Sequence, residues 1–461
     1  MFDLIMKNAA VATESGLVRA TLGIEDGRVS AWLAPDAAAQ ARETVDCGGK
    51  YLLPGMVDMH FHCRVPGRSD REDFDTATMS AAKGGVTTII EMPIAKPSPH
   101  DAQTLRNRIA YAEPLAVVDY GFYAAGATRD SAKAAELAEA GAMGFKIFLH
   151  AQPKGREDEF HDLCAVGSAE LYESLRANAG TGLITCVHAE DDGLIRARTA
   201  QFGKGEKNTY LQQMETRPPE AEELAILTAG LAASLAGARL HICHISSENG
   251  IRALRYLKNS GGDVTGESCP PYLWLDADLM RVFGSYAKVN PPIRDGRHKT
   301  ALLSALQDGT LDAISSDHAP FLPAEKEVAD FLLAPSGMPG VEFFGPSVID
   351  RVLRGELSLA QAVHFTAASP ARLLGLYGKK GTLEVGADAD MVLVDPDRDM
   401  QADISRSFSK SSKSLYPYHS KIFRGRIDKT FLRGKVVYGD GSILVDRGYG
   451  CFLPGAGAPK H

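Results

Sequence analysis

No two cysteines in this 461-residue chain are spaced as a C-x-x-C pair, and the seven present fall at irregular intervals. An odd, unpatterned set supports neither a disulfide framework nor a structural zinc knuckle, and it fits a reducing, cytoplasmic setting. Cys63, Cys186 and Cys243 lie near histidines but read as small buried hydrophobes. Long apolar runs are missing too. The nearest candidate, "LAILTAGLAASLAGARL" (224–240), is rich in Ala and Gly, follows Glu222 and Glu223, and contains Arg239. It reads as a buried helix, so no membrane partner is expected. The start, "MFDLIMKNAA", lacks the basic and apolar regions of a secretory leader, and none is expected. Basic clusters are also absent. The 50 Lys and Arg are scattered against 58 Asp and Glu, for a net charge of −8, which argues against a nucleic-acid partner.

What is present is ordinary in bulk, with 44% hydrophobic and 23% charged residues, but ordered along the chain. The length predicts one large domain and a smaller one. Both ends carry β patterning. "LIMKNAAVAT" and "VRATLGIEDGRVSAWL" at the start are matched by "DMVLVDP" and "KTFLRGKVVYGDGSILV" near the end, and Asp26-Gly27 and Asp440-Gly441 supply hairpin turns. Residues 1–51 and 376–445 are therefore expected to build one composite β-sandwich domain, with 446–461 as a loose C-terminal arm.

Residues 52–375 alternate. A run over 52–60 is followed by "GVTTIIEMP", "VVDYGFYAAG", "GAMGFKIFL", "LITCVHAE", "ARLHICHISS", "YAKVNPPIR" and "LDAISSDHAP", with helical stretches such as 131–140, 168–178 and 249–258 between most of them. Eight such units predict an α/β fold, a (β/α)8 TIM barrel. A doubly wound open sheet would want a Gly-rich phosphate turn after its first strand, and "HFHCRVPG" is not one.

Chemistry collects where these runs end. His60 and His62 are two apart, so in a strand they share a face, and two imidazoles held together suit a divalent metal. Lys146, His188, His244 and Asp317 end later units. Such barrels draw active-site groups from the C-terminal ends of several strands. By alternation His188 shares a face with Ile184 and Cys186, His244 with Leu240 and Ile242, and Asp317 with Ser315. His241 and His318 fall opposite, and His241 reads as a packed outer residue. Arg64 continues the series from His62 and can fork onto a carboxylate. Singly, each group could be structural: a hydrogen-bonded core histidine, an ion-paired lysine, a loop cap. Together they point to one metal site.

In this order, the segments "DMHFHCRVPG", "AAKGGVTTIIEMP", "GFKIFL", "VHAED", "CHISS", "GESCPPYLWL", "KVNPPIRDGRHK", "DAISSDHAP", "PSGMPGVE" and "GTLEVGADADMVLVD" resemble the amidohydrolase superfamily. The likeness is to its cyclic amidohydrolase branch of dihydroorotases, allantoinases and hydantoinases, nearest the dihydroorotases. It implies two divalent ions, usually zinc. His60, His62 and Asp317 would hold the more buried one and His188 and His244 the other, with a carboxylated Lys146 bridging them. A hydroxide shared by the ions would attack the amide, and Asp317 would carry its proton to the leaving ring nitrogen. The resemblance also implies a small cyclic amide substrate, contacts to it from Arg64, Asn290, Ser336 and Gly337, and a homodimer or homotetramer.

Departures shape the substrate expectation. Ile94 stands where dihydroorotases carry an Asn, and Phe321 where they carry a His. Ala151, preceded by His150, stands where hydantoinases carry a Tyr, and allantoinases generally have Asn at the position of Arg64. Losing two polar contacts favours a less polar cyclic imide, hydantoin or dihydropyrimidine over dihydroorotate. Loops over 151–167 and 320–340 are expected beside the mouth. Two other readings stand beside this one. A metal-free scaffold would have no reason to keep every ligand. A deaminase or lactonase on the same barrel is a second possibility, and Lys146 argues against the deaminase.

Overall fold

The computed structural model describes residues 1–202 and 209–458. At its centre eight parallel strands run in sequence order: β1 (Met56–Phe61), β2 (Val86–Glu91), β3 (Asp119–Ala125), β4 (Gly144–Phe148), β5 (Ile184–His188), β6 (Leu240–Ile242), β7 (Val264–Ser268) and β8 (Ala313–Ile314). The cylinder closes where the His62 amide donates to the His318 carbonyl at 2.7 Å, beside a parallel bridge between Phe61 and His318. Helices lie between most strands, among them Ser131–Glu139, Ser168–Ala179 and Glu248–Asn259, as the periodicity predicts. Val57, Met59, Ile90, Met92, Tyr123, Ile184 and Cys186 fill the interior. Outward residues such as Phe145, Ile147, Val187 and Leu240 meet the helices.

The two chain ends build one nine-stranded sheet. Phe2–Thr13 pairs with Gly16–Glu25 on one side and with both Ala41–Asp46 and Tyr51–Pro54 on the other, so the sheet branches there. Met391–Asp395 joins from the far end of the chain by pairing with Tyr51–Pro54. Leu4, Met6, Val11, Leu22, Ile24, Met391 and Phe431 form its core. Both predicted hairpin turns form, with Asp26, Gly27, Asp440 and Gly441 all at positive φ as a type I′ turn requires.

Four expectations need correction. The run over 52–60 is two strands, because Tyr51–Pro54 belongs to the branched sheet and only Met56–Phe61 to the barrel. Gly55 separates them, and a Cβ there would meet Thr87 Oγ1 at 2.1 Å. The seventh strand is Val264–Ser268, while "YAKVNPPIR" is a 3-10 turn followed by irregular chain. Two adjacent prolines cannot donate to a central ladder. The helix Pro219–Ala236 is not wholly buried, since Leu224, Leu231 and Leu235 are exposed. Nor is the arm loose. Tyr120 on β3 exchanges backbone hydrogen bonds with Cys451 and Leu453, and Leu453 is buried in the cluster that fills the barrel. Its last residues, 459–461, lie outside the described residues. Among the described residues no helix is long and apolar enough to cross a membrane.

If the arm is a barrel component, Leu453→Ala should lower unfolding stability by about 2–5 kcal/mol, the usual range for a buried leucine. Urea or thermal unfolding would read this, and an unchanged midpoint would show that the arm does not contribute.

Candidate metal centre and active site

His60 and His62 stand at the end of β1, Lys146 on β4, His188 at the end of β5, His244 just beyond β6 and Asp317 just beyond β8. The folded chain brings all six together. Asp317 Oδ1 lies 3.4 Å from His60 Nε2 and 3.6 Å from His62 Nε2. His188 Nδ1 faces His244 Nε2 at 2.9 Å, and the rings of His60 and His244 are 5.2 Å apart. Lys146 Nζ donates to Cys243 Sγ at 2.9 Å, and that sulfur lies within 4.8 Å of ligand atoms of His60 and Glu267. Cys243 is therefore more than a packed hydrophobe.

Backbone geometry decides several of these placements. β6 ends at Ile242, and His244 has φ +37°, so the turn and not strand alternation aims its ring inward. Leu240 and Ile242 in fact pack outward. His241, expected outside, faces inward, with Nε2 3.5 Å from Glu267 Oε2 and Nδ1 2.8 Å from Thr265 Oγ1. Asp317 (φ +46°) and Arg64 (φ +64°) are likewise left-handed. Such a conformation costs a non-glycine residue about 1–3 kcal/mol and persists only where the surroundings hold it. At Arg64 the holder is Glu91, whose Oε1 accepts from the amides of Cys63 at 3.0 Å and Arg64 at 3.2 Å. Glu91 is itself ion-paired with buried Arg108, which donates to the Val65 and Met92 carbonyls. His318 is out of phase as expected, stacked on Phe61 with ring centres 4.6 Å apart.

Two buried carboxylates orient the imidazoles. Glu267 on β7 takes His60 Nδ1 at 2.5 Å, which turns Nε2 toward Asp317. Glu190 takes His188 Nε2 at 2.9 Å, leaving Nδ1 toward His244, and Arg217 anchors Glu190. A carboxylate behind a histidine sets its tautomer and raises its basicity as a ligand. Neither glutamate emerges from the sequence reading. Their only signal is an acidic residue in a short β run, in "VTGES" and in "VHAED".

Burial favours the neutral form of three of the four imidazoles. Burial, helped by the charge of Arg64, drives His62 well below the ordinary histidine range, and burial with the neighbouring His188 does the same to His244. Burial also brings His188 down to about 4, against the pull of Glu190. Burial opposes charge on His60 as well, yet Glu267 outweighs it and holds that pKa up at about 10. Burial lifts the Asp317 carboxyl above its usual range, against His60 and Lys146. His62 Nδ1 and His244 Nδ1 are buried with no hydrogen-bond partner among the described residues. Four converging imidazoles, a carboxylate and a lysine of this kind form a donor set that fits divalent ions such as zinc.

The expected substrate contacts divide into two groups. The Arg64 guanidinium lies over Phe321 at 4.7 Å, with Arg71 over the same ring at 4.6 Å. Arg71 is paired with Glu325, whereas Arg64 has no ion-pair partner among the described residues. Gly337 fits tightly beside this group, since a Cβ there would meet Ala319 O and Phe321 at 2.7 Å. Asn290 lies beside Ser336 Oγ at 3.1 Å and Gln213 Nε2 at 2.9 Å. Ile94 joins a separate apolar cluster with Phe148, Phe160 and Leu163. Phe160 comes from the 151–167 loop, which bridges to β4 between Cys164 and Phe148, the residue whose ring lies 5.6 Å from that of His188.

Comparison with known proteins agrees with this architecture. Residues 51–437 match the Amidohydrolase family, and the chain belongs to it. It is 34% identical to the L-hydantoinase of Paenarthrobacter aurescens over 98% of both chains, and 32% identical to the allantoinase of Bacillus velezensis over 98% of this chain and 97% of that one. The solved L-hydantoinase (dihydropyrimidinase) from Arthrobacter aurescens superposes with a TM-score of 0.93 at 34% identity, covering 98% of this chain and all of that one.

Glu267→Gln should weaken divalent-metal binding about 10–100-fold, the usual effect of removing a ligand's carboxylate support. Chelator competition followed by metal analysis measures it. Unchanged affinity would mean that His60 is oriented by other contacts.

Proposed function

We propose that this chain is a metal-dependent hydrolase that opens a cyclic amide, with a hydantoin-type or dihydropyrimidine ring as its substrate class. The observation that carries the proposal is the meeting of six metal-capable side chains from five barrel strands, two of them backed by buried carboxylates. The hydantoinase and allantoinase likenesses support the class, and they move its weight from dihydroorotate toward hydantoin-like rings.

On this reading His60, His62 and Asp317 would hold one ion, and His188 and His244 a second. Lys146, once its amine adds carbon dioxide and loses a proton, would offer a carbamate to both. A buried lysine whose one side-chain hydrogen bond among the described residues goes to a thiol supports that modification, because as an ammonium it would repel cations. Bound there, two divalent ions supply an activated water at neutral pH and polarise the scissile carbonyl. Asp317, 3.4 Å from His60 Nε2 at the point where the groups converge, takes the proton of the attacking water and returns it to the departing ring nitrogen. Arg64, stacked on Phe321 and with no counterion among the described residues, takes a polar edge of the ring or a substituent carboxylate. Ile94, Phe148 and Phe160 offer an apolar wall for a nonpolar ring substituent. Asn290, Ser336 and Gly337 line the remaining side. A homodimer or homotetramer, zinc as the native metal, a cytoplasmic setting and the assignment of 52–375 to the catalytic domain belong to the same proposal.

Purified enzyme assayed against hydantoins, dihydrouracil, allantoin, cyclic imides and dihydroorotate should turn over one of the first four fastest. Dihydroorotate as the best substrate would overturn the part given to Ile94 and Phe321. Asp317→Asn should retain metal yet lose about 10²–10⁴-fold in kcat, the usual worth of a positioned acid-base group. A wild-type rate in that variant would refute the role. Fewer than one ion per chain after expression with metal and bicarbonate would instead favour a non-catalytic scaffold.

A further inference from the structure

Two lysines beside the site have no anionic partner within ion-pair distance among the described residues, and both are buried. Lys288 Nζ donates to the carbonyls of Phe331, Leu332 and Ala334 at 2.8, 2.9 and 2.6 Å. Lys326 Nζ donates to those of Ser285, Lys288 and Pro335 at 3.0, 3.2 and 2.9 Å. Each ammonium thus spends all three donors on main-chain oxygens. Burying an unpaired charge is expensive, so the arrangement needs a reason. Residues 331–337 form no helix or strand, and their buried carbonyls find no ladder to accept from. The two ammonium groups supply the missing donors, and charge-assisted bonds hold more firmly than neutral ones.

What these cations hold is one wall of the mouth. The Lys288 carbonyl also accepts the Gly337 amide at 2.9 Å, so one residue ties both ends of the segment. Ser336 and Gly337 then sit against Asn290, Ala319 and Phe321. Leu332 and Ser336 line a cavity of about 280 Å³ with Gln213, Arg217, Lys288 and Asn290. Arg217 reaches from there to Glu190, the partner of His188. The cost of the arrangement is visible. Burial, with Arg217 nearby and against Asp330, pulls Lys288 down to about 7. Burial with Lys288 and Arg64, against Glu325, pulls Lys326 well below the ordinary lysine range.

We propose that Lys288 and Lys326 are positioning residues, two cationic pins that fix the carbonyls of 331–335 and thereby set the substrate-selecting wall at Ser336 and Gly337. Neither touches the reacting atoms. The link to substrate selection rests on the cyclic-amide reading above, whereas the pinning itself does not.

The test uses the full metal-loaded chain with Lys288→Met, Lys326→Met and the donor-retaining Lys288→Arg. Hydrogen exchange of residues 332–337 is measured beside kcat, KM and metal content on the best cyclic amide of the panel. Losing a pin lowers the fraction of chains with the wall in place, so KM should rise about tenfold with kcat within about threefold. Metal content should hold, exchange should rise over 332–337 and not in the barrel strands, and Lys288→Arg should recover part of the loss. Unchanged KM and unchanged local exchange in both Met variants would overturn the proposal. So would exchange that rises throughout the barrel or a loss of metal, since either marks a merely structural role. If Lys288→Met does not fold, Lys326→Met carries the same measurements. If no cyclic amide is turned over, the functional reading fails, and the exchange data still decide whether the pins exist.

Discussion

The contact on which this site turns is the one between His60 and Glu267. It joins the first barrel strand to the seventh, across the cylinder's interior, and it aims an imidazole nitrogen at the position shared with Asp317. Glu267 also accepts from Ser315 and faces His241, so one buried carboxylate ties three strand ends together. Its charge is tolerable because the imidazoles of His60 and His241 and the Ser315 hydroxyl surround it. A slip of one residue on either strand would separate the pair and dismantle the site, because alternation would carry each group to the opposite face.

Around that contact the molecule spends irregular backbone where chemistry requires it and regular backbone elsewhere. The strands that carry the six converging groups are short and buried on both faces, and three left-handed residues, Arg64, His244 and Asp317, stand just after them. The supports are charged side chains, most of them buried. Glu91 and Arg108 hold the turn after β1, Glu190 and Arg217 stand behind β5, and Lys288 and Lys326 hold the loop after β8. Loops at such a mouth cannot pair with neighbours as strands do. Buried charged side chains do for their carbonyls and amides what a ladder does for a strand.

The small sheet and the C-terminal arm serve the barrel from its other end. Buried Lys380 meets Asp119 at the start of β3 together with Asp388 and Asp390 at the entrance to the returning strand, and Arg433 joins the same group. Three carboxylates and two cations thus fasten the sheet to the barrel floor. The backbone of Cys451 docks on the same aspartate, which explains why the arm packs and does not wave.

By itself the sequence determined the barrel, the shared origin of the small sheet and the six polar groups that converge at one rim. Those signals are local: apolar runs of strand length, turn dipeptides, and polar residues at strand ends, which in a closed parallel barrel all lie on one rim. It misjudged the seventh strand, where Glu267 and Ser268 break the apolar pattern and only partners on other strands make their burial possible. It also gave Leu240, His241 and Ile242 to the wrong faces and placed His244 correctly for the wrong reason, because alternation holds only while the strand continues and β6 is three residues long. The carboxylates behind the histidines, the turn held by Glu91 and the lysine-pinned wall came from tertiary structure alone. Most of their contacts join residues well apart in the chain, as His60 to Glu267 and Lys288 to Phe331, and even the short step from His188 to Glu190 acts only once Arg217 holds the carboxylate, so none leaves a periodic trace in the sequence.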